Sequence, residues 1–308
     1  MEQATGYSKP YLSKLETGGK GVKAWHIQAY DRALGGDAVQ RRALLLMGVS
    51  VVTPAVWAEL EMSTAPPQRV GNGDVEALAE SADYLTGLGL RHGGRAAVAA
   101  VRGQLRYAAS LLDLSMSNEV RQSLLATVAR LADRTAWAMA DIGQVSQAHK
   151  IYEFSLSVTP DETQRWLTLG NVADLRLRQE DPQTALRLLD RDDPAVPVLR
   201  FLVNATRAQA RASLGEYSAT LRHIDTADSS HASVDLDDLP HPLRPYVSGH
   251  LGHAHAEAGK ALYTLALGGS KSAAPLTLER LNAAVDAFGS DRAHAVAGCR
   301  RRIDSLSS

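Results

Sequence analysis

The residues able to do chemistry sit in three places. Near the start, Lys9, Lys14, Lys20 and Lys23 are four of only seven lysines in the chain, and they stand among Ser8, Pro10, Tyr11 and Ser13. Ammonium groups at that density attract phosphates, and hydroxyls beside them can meet the polar edges of bases. Further on, His250, His253, His255 and Glu257 invite a metal reading, because His253 and Glu257 are four apart and share a helical face, with His250 one turn earlier. No second ligand cluster and no usable cysteine accompany them, and Leu251-Gly252 reads as ordinary helix packing, so neither a metal nor a cofactor is expected. The single cysteine, Cys299, precedes Arg300, Arg301 and Arg302. Those charges could lower a thiol pKa, but the segment reads as a surface helix with solvated arginines. Gly93-Gly94 and Gly268-Gly269 lack the further glycine and the strand of a phosphate loop. A Gly-x-Ser-x-Gly elbow is missing too, so no catalytic residues are named and an enzyme is not expected.

The elements that must position these groups are helical. Of 308 residues, 45% are hydrophobic and 22% charged, which excludes a disordered chain, and one cysteine excludes a disulfide framework. Aromatics are only 5%, so the core is built from Leu, Ala and Val, which pack helices more readily than strands. From Glu76 to Leu88 the apolar positions are Leu78, Ala82, Leu85 and Leu88, and from Val98 to Leu112 they are Val98, Val101, Leu105, Ala108 and Leu112. Both follow the i, i+3, i+4, i+7 rule of an amphipathic helix. In the basic segment, Ser8 is an N-cap, Pro10 sits in the first turn and Gly18 supplies the stop. Leu12 and Leu15 share one face, leaving Lys9, Ser13 and Lys14 on others, as a short recognition helix in a major groove requires.

No stretch reaches the roughly 20 apolar residues that span a bilayer. The run Ala43 to Pro54 behind Arg41-Arg42 resembles a twin-arginine export signal, but its depth in the chain favours an apolar helix docked on the larger domain. Residues 62–74, rich in Pro, Gly and small polar side chains, read as a linker.

Between about 120 and 290 the helices are expected in pairs, with breaks at Ile142-Gly143-Gln144, Leu214-Gly215-Glu216 and Leu267-Gly268-Gly269. Trp166, Leu169 and Gly170 stand at relative positions 0, 3 and 4. Gly143 is followed by Ala148, Tyr152 and Pro160, and Gly215 by Ile224 and Ala227. This is similar to the tetratricopeptide repeat of about 34 residues. Small residues such as Gly170, Ala148 and Ala227 would allow close helix approach. Gly170 and Ala185 are too far apart for the pattern, and the segment Asp228 to Pro245 interrupts it. The resemblance implies a curved superhelical array whose groove is lined by the first helix of each pair. Projected onto this chain, it puts Asp133, Trp137, Asn171, Asp174 and Gln209 in that groove, where an extended peptide, a small signal or a protein partner would bind.

Residues Gly6 to Gly18, Gly-Tyr-Ser-Lys-Pro-Tyr-Leu-Ser-Lys-Leu-Glu-Thr-Gly, resemble the recognition helix of lambda-repressor-like, XRE-type helix-turn-helix regulators. Ala24 to Gly35 resembles the next helix of that domain. The Arg41-Arg42 segment, His92-Gly-Gly-Arg95 and Leu131 to Gly143 resemble actinobacterial regulators that join this domain to a tetratricopeptide-like one. The resemblance implies that Ser8 caps the helix against a phosphate, that Lys9, Pro10, Ser13 and Lys14 face base edges with Tyr11 beside them, and that Lys20 and Lys23 hold the backbone. The family's domain has about five helices, and the first and most of the second have no counterpart here. The expectation is therefore a truncated helix-turn-helix, from either a late start codon or a shortened paralogue.

The expected fold is all-α: an incomplete helix-turn-helix remnant in residues 1–36, an apolar helix and linker in 37–73, and a tetratricopeptide-like array of helix pairs in 74–308. The formal charge of −1 conceals a division. Residues 1–42 hold seven basic and four acidic groups, a net of +3, on a body of −4. A small basic head on a mildly acidic body is compatible with DNA binding. The expected function is a cytoplasmic, dimeric transcriptional regulator that binds DNA and senses a ligand or partner through the array, with no membrane association. The alternative is a tetratricopeptide-like interaction scaffold with a vestigial DNA-binding segment.

Overall fold

The computed structural model describes residues 69–239, 243–247, 251–288 and 292–307. Ser8, Lys9, Pro10, Tyr11, Ser13, Lys14, Lys20 and Lys23, the run from Ala43 to Pro54 and His250 lie outside the described residues. Within them the chain is helical, with no strand; the sole ladder contact is an isolated bridge between Arg69 and Ser115.

Helix α1 spans Asn72–His92 and α2 Gly94–Ser110, followed by a 3-10 turn at Leu111–Asp113. The stripe expected on α1 is realised, with Leu78, Ala82 and Leu85 buried. On α2 the buried set is Ala97, Val101 and Ala108. Helix α1 begins inside the segment read as a linker, since Asn72, Gly73 and Asp74 already form its first turn. Then come α3 (Asn118–Asp141), α4 (Val145–Val158), α5 (Glu162–Arg178), α6 (Pro182–Leu188), α7 (Pro197–Ser213) and α8 (Tyr217–Ala232). A four-residue α9 (Arg244–Val247), α10 (Leu251–Leu267), α11 (Ala273–Phe288) and α12 (Ala293–Ser307) complete the described chain. Helix α8 runs through Asp228, so the expected interruption starts only after Ala232.

The starts are written in the local sequence. Ser117 accepts from the Val120 amide, Asp161 from Thr163 and Gln164, and Asp181 from Thr184. Each satisfies a backbone donor that the first turn leaves orphaned. The stops inside the hairpins share one device. Gly143, Glu180, Gly215 and Gly269 all have positive φ. The amide of the residue after each reaches back five positions: Gln144 to Met139, Asp181 to Arg176, Glu216 to Arg211 and Ser270 to Leu265, at 2.8 to 3.0 Å. This is the Schellman closure, and glycine holds the left-handed position at three of the four sites. It folds α3 on α4, α5 on α6, α7 on α8 and α10 on α11.

The core is a chain of small clusters, each shared by neighbouring hairpins. Leu78, Leu111, Leu124 and Leu131 join α1 to α3. Met139, Tyr152, Val172 and Leu175 join α3, α4 and α5. Ala208, Ile224, Leu262 and Leu265 join α7, α8 and α10. Burial of each such leucine stabilises by roughly 1.5–3 kcal/mol. Close approach is not made at Gly170, where an added Cβ would meet nothing within 4 Å. It is made at Gly94 against the backbone of Ala138 and at Gly259 against Leu281, where an added Cβ would stand 2.6 Å from its neighbour. The last described helix also returns to the first described one: α12 packs against α1, and His294 lies beside Gly93.

Candidate ligand-binding face

The polar residues of α3, α5, α7 and α10 meet on one side of this array. Helical spacing explains the alignment. Asn171, Asp174 and Arg178 follow i, i+3, i+7 on α5, and Glu257, Lys260 and Thr264 repeat that spacing on α10.

At one end, Asp133 is 1% exposed and Arg134 6%. Asp133 Oδ2 accepts from Arg134 Nε at 3.0 Å and Nη2 at 2.5 Å, and the Asn171 amide donates to both Asp133 oxygens at 3.0 and 3.1 Å. The guanidinium also lies over the rings of Tyr246 at 5.2 Å and Trp137 at 5.8 Å. Burial works against the Arg134 charge, but Tyr246, Asp133 and Tyr152 reverse that, so its pKa is raised. Burial pushes the Tyr246 hydroxyl up to about 12 and the Tyr152 hydroxyl well above its ordinary value. All three are locked in one protonation state over the physiological range.

One turn further on, Asp174 accepts from Arg178 Nε and from Lys260 Nζ, both at 2.8 Å, and Glu257 stands 3.8 Å from the same ammonium. Burial raises the Asp174 carboxyl, but Lys260 and Arg178 outweigh it, so the pKa falls well below the usual carboxylate range. Burial likewise opposes the Lys260 charge, and Asp174 and Glu257 restore it with a net rise. Asp174 and Lys260 keep 25% and 28% of their side-chain surface in solvent, and Glu257 and Arg178 are more open. Beyond them, Gln209 on α7 donates to the Thr264 hydroxyl at 2.6 Å, while its own carbonyl oxygen is buried without a partner.

The groove residues read from the sequence are thus placed unequally. Asp133 and Asn171 bond each other, Asp174 lies a turn away, and Gln209 joins the same face through α10. Trp137 packs with Leu85 and Val101 and beneath Gly89, with the Arg134 guanidinium over its ring. Arg134, Tyr152, Arg178, Tyr246, Glu257 and Lys260 were not read as members. The i, i+3, i+7 polar spacing on α5 and α10 was the available signal.

Chemically this is a patch of fixed, mutually paired charges rather than a proton-transfer site. Two carboxylates and two cations, all partly open to solvent, can exchange their pairing for a ligand carrying both signs. Among the described residues no group of three His, Cys, Asp or Glu is placed to hold a metal. The His253 ring stands edge-on to Phe288 at 5.1 Å, whereas Glu257 turns to Lys260. Cys299 is buried rather than on a surface helix, and burial pushes its thiol up despite Arg302. A shallow depression of about 360 Å³ lies between Arg200 and the Asp225 to Ser233 end of α8. Its hydroxyls donate to backbone carbonyls of their own helix, as Thr226 does to Arg222 and Ser229 to Asp225. Among the described residues no helix is long and apolar enough to cross a membrane.

Comparison with protein-family models, with curated proteins and with solved structures found no match to this chain.

Proposed function

We propose that the chain is a transcriptional regulator, with the segment from Ser8 to Lys23 contacting DNA and the helical array sensing a peptide, a small ligand or a protein partner. The observation that carries the sensing half is the Asp174–Lys260 pairing, which brings charged groups of α5 and α10 to one partly open face beside the buried Asp133–Asn171 contact. Such a face suits a ligand with donors and acceptors of both signs. The DNA-binding half rests on the resemblance of Gly6 to Gly18 to XRE-type recognition helices. A homodimer fits this reading, because paired half-sites need paired recognition helices.

The test is a footprinting titration of the full chain on the DNA flanking its own coding region, beside a Lys9→Gln/Lys14→Gln variant. A discrete footprint lost in the variant supports the regulator. No footprint from the unaltered chain overturns it, and capture of a partner through Asp174 and Lys260 in that case favours an interaction scaffold.

A further inference from the structure

Helix α2 carries three arginines that the fold does not use. Arg95, Arg102 and Arg106 are exposed, and among the described residues none has a hydrogen bond, ion pair or ring contact. Several arginines elsewhere are occupied: Arg130 reaches Asp83, Arg165 the Thr159 carbonyl, Arg200 those of Pro194 and Ala195, and Arg280 Asp228. The spacing i, i+7, i+11 places the three within about 40° of one another around the helix. They form a stripe about 16 Å long, at a rise of ~1.5 Å per residue.

The rest of that face is as informative. Helix α2 contains no acidic residue, and its exposed positions between the arginines are Ala96, Ala99, Ala100 and Gly103, with Tyr107 41% exposed beside Arg106. A Cβ added at Gly103 would meet nothing within 4 Å. Small side chains let another surface come close to the helix while the long guanidinium arms reach past them. The apolar stripe of Ala97, Val101 and Ala108 is already spent on the core. An interfacial membrane helix would need a large apolar face to insert, and α2 has none left. Arginine rather than lysine throughout suits planar, bidentate contact with phosphate oxygens.

We infer that α2 is a docking surface for the phosphate backbone of double-stranded DNA, held through Arg95, Arg102 and Arg106. A duplex presents one negative charge per ~1.7 Å of axis, so a rigid 16 Å stripe faces ample phosphate whatever the base sequence. The contact is sequence-independent, and it is separate from base reading by the segment around Lys9.

The experiment measures affinity of the full chain for a random-sequence duplex a few helical turns long, by fluorescence anisotropy over a range of salt. The unaltered chain is compared with Arg95→Gln/Arg102→Gln/Arg106→Gln and with Lys9→Gln/Lys14→Gln. Each phosphate contact contributes about 0.9 to the slope of log K against log salt. The triple variant is therefore expected to lose between two and three units of slope, with an unchanged thermal midpoint because the three groups have no partner among the described residues. The same loss in the background of the lysine variant supports the α2 contact even where the footprint fails. An unchanged slope in the triple variant overturns it. Loss of binding to vesicles of anionic lipid, with duplex binding intact, also overturns it and assigns the stripe to a membrane surface.

Discussion

Asp174 and Lys260 are 86 residues apart in the chain, yet their carboxylate and ammonium meet at 2.8 Å. Neither helix reaches the other through its own hairpin partner, so this pair is a tie between the second hairpin and the fourth.

The tie has a measurable pH signature. The Asp174 pKa lies below its unfolded value, so its contribution is complete above about pH 4 and is lost as pH falls through the lowered folded value. Asp174→Asn should cost on the order of 1–3 kcal/mol at neutral pH, since it leaves both Lys260 and Arg178 short of a partner. Urea unfolding followed at pH 7 and again near pH 3 checks this. The gap between variant and parent should narrow in acid, and a gap that stays constant would refute the assignment.

The Asp133–Arg134 pair is the more costly one to break. With both side chains almost wholly buried, Asp133→Ala leaves a guanidinium against two aromatic rings without an anion, and the Asn171 amide without its acceptor. The expected loss is about 3–5 kcal/mol. Replacing both partners, Asp133→Leu with Arg134→Met, should recover most of it. Denaturant midpoints of the three proteins decide the matter; a double variant as unstable as the single would show that packing, not the stranded charge, carries the loss.

How much of this was legible follows from how far each signal travels along the chain. Leu78, Ala82 and Leu85 announce α1 because helical period is a local property, and Gly143 and Gly215 mark their turns for the same reason. Asp133 and Asn171 could be placed on one face by projecting a repeat, and the structure joins them directly. The projection gave no sign that the Trp137 ring also packs beneath Gly89, because side-chain contacts depend on which neighbour offers space. It also gave no hint of Lys260, since a partner in the fourth hairpin leaves no periodic trace near Asp174. Gly170 was read as a close-approach position and stands open, while Gly94 and Gly259 take that role. A glycine's type shows only that something small fits, not what lies opposite.

His253 should make the fold acid-sensitive in a range that carboxylates do not govern. Burial, then Arg292 and His231, lower its pKa to about 3. A depressed value means the stabilising contribution is complete above the unfolded pKa of about 6.5 and is lost progressively as pH falls towards 3. Between pH 7 and pH 5 the loss amounts to about 2 kcal/mol. His253→Leu, which keeps an apolar group against Phe288, should flatten that stretch of the stability curve. Thermal midpoints in a pH series test it, and an unflattened curve would place the sensitivity elsewhere.

The four hairpin turns supply a matched comparison. At Gly143, Gly215 and Gly269 a glycine takes the left-handed position, whereas Glu180 takes it with φ of 60° and a full side chain. A non-glycine residue there is strained by roughly 1 kcal/mol. Glu180 has no hydrogen bond or ion pair in return among the described residues; its backbone amide alone is engaged, reaching the Leu177 carbonyl at 3.0 Å. Glu180→Gly should therefore stabilise the protein by about 0.5–1 kcal/mol, a rare gain from introducing glycine. The converse, Gly143→Ala, meets no atom within 4 Å and should cost a similar amount through backbone strain alone. Gly94→Ala should cost several-fold more, because its Cβ would lie 2.6 Å from the Ala138 carbonyl oxygen and α3 cannot give way without disturbing its own ladder. Calorimetric midpoints of the three single variants should thus rise, fall slightly and fall steeply in that order. A fall for Glu180→Gly would mean that the Glu180 side chain stabilises the second hairpin by more than the strain it imposes.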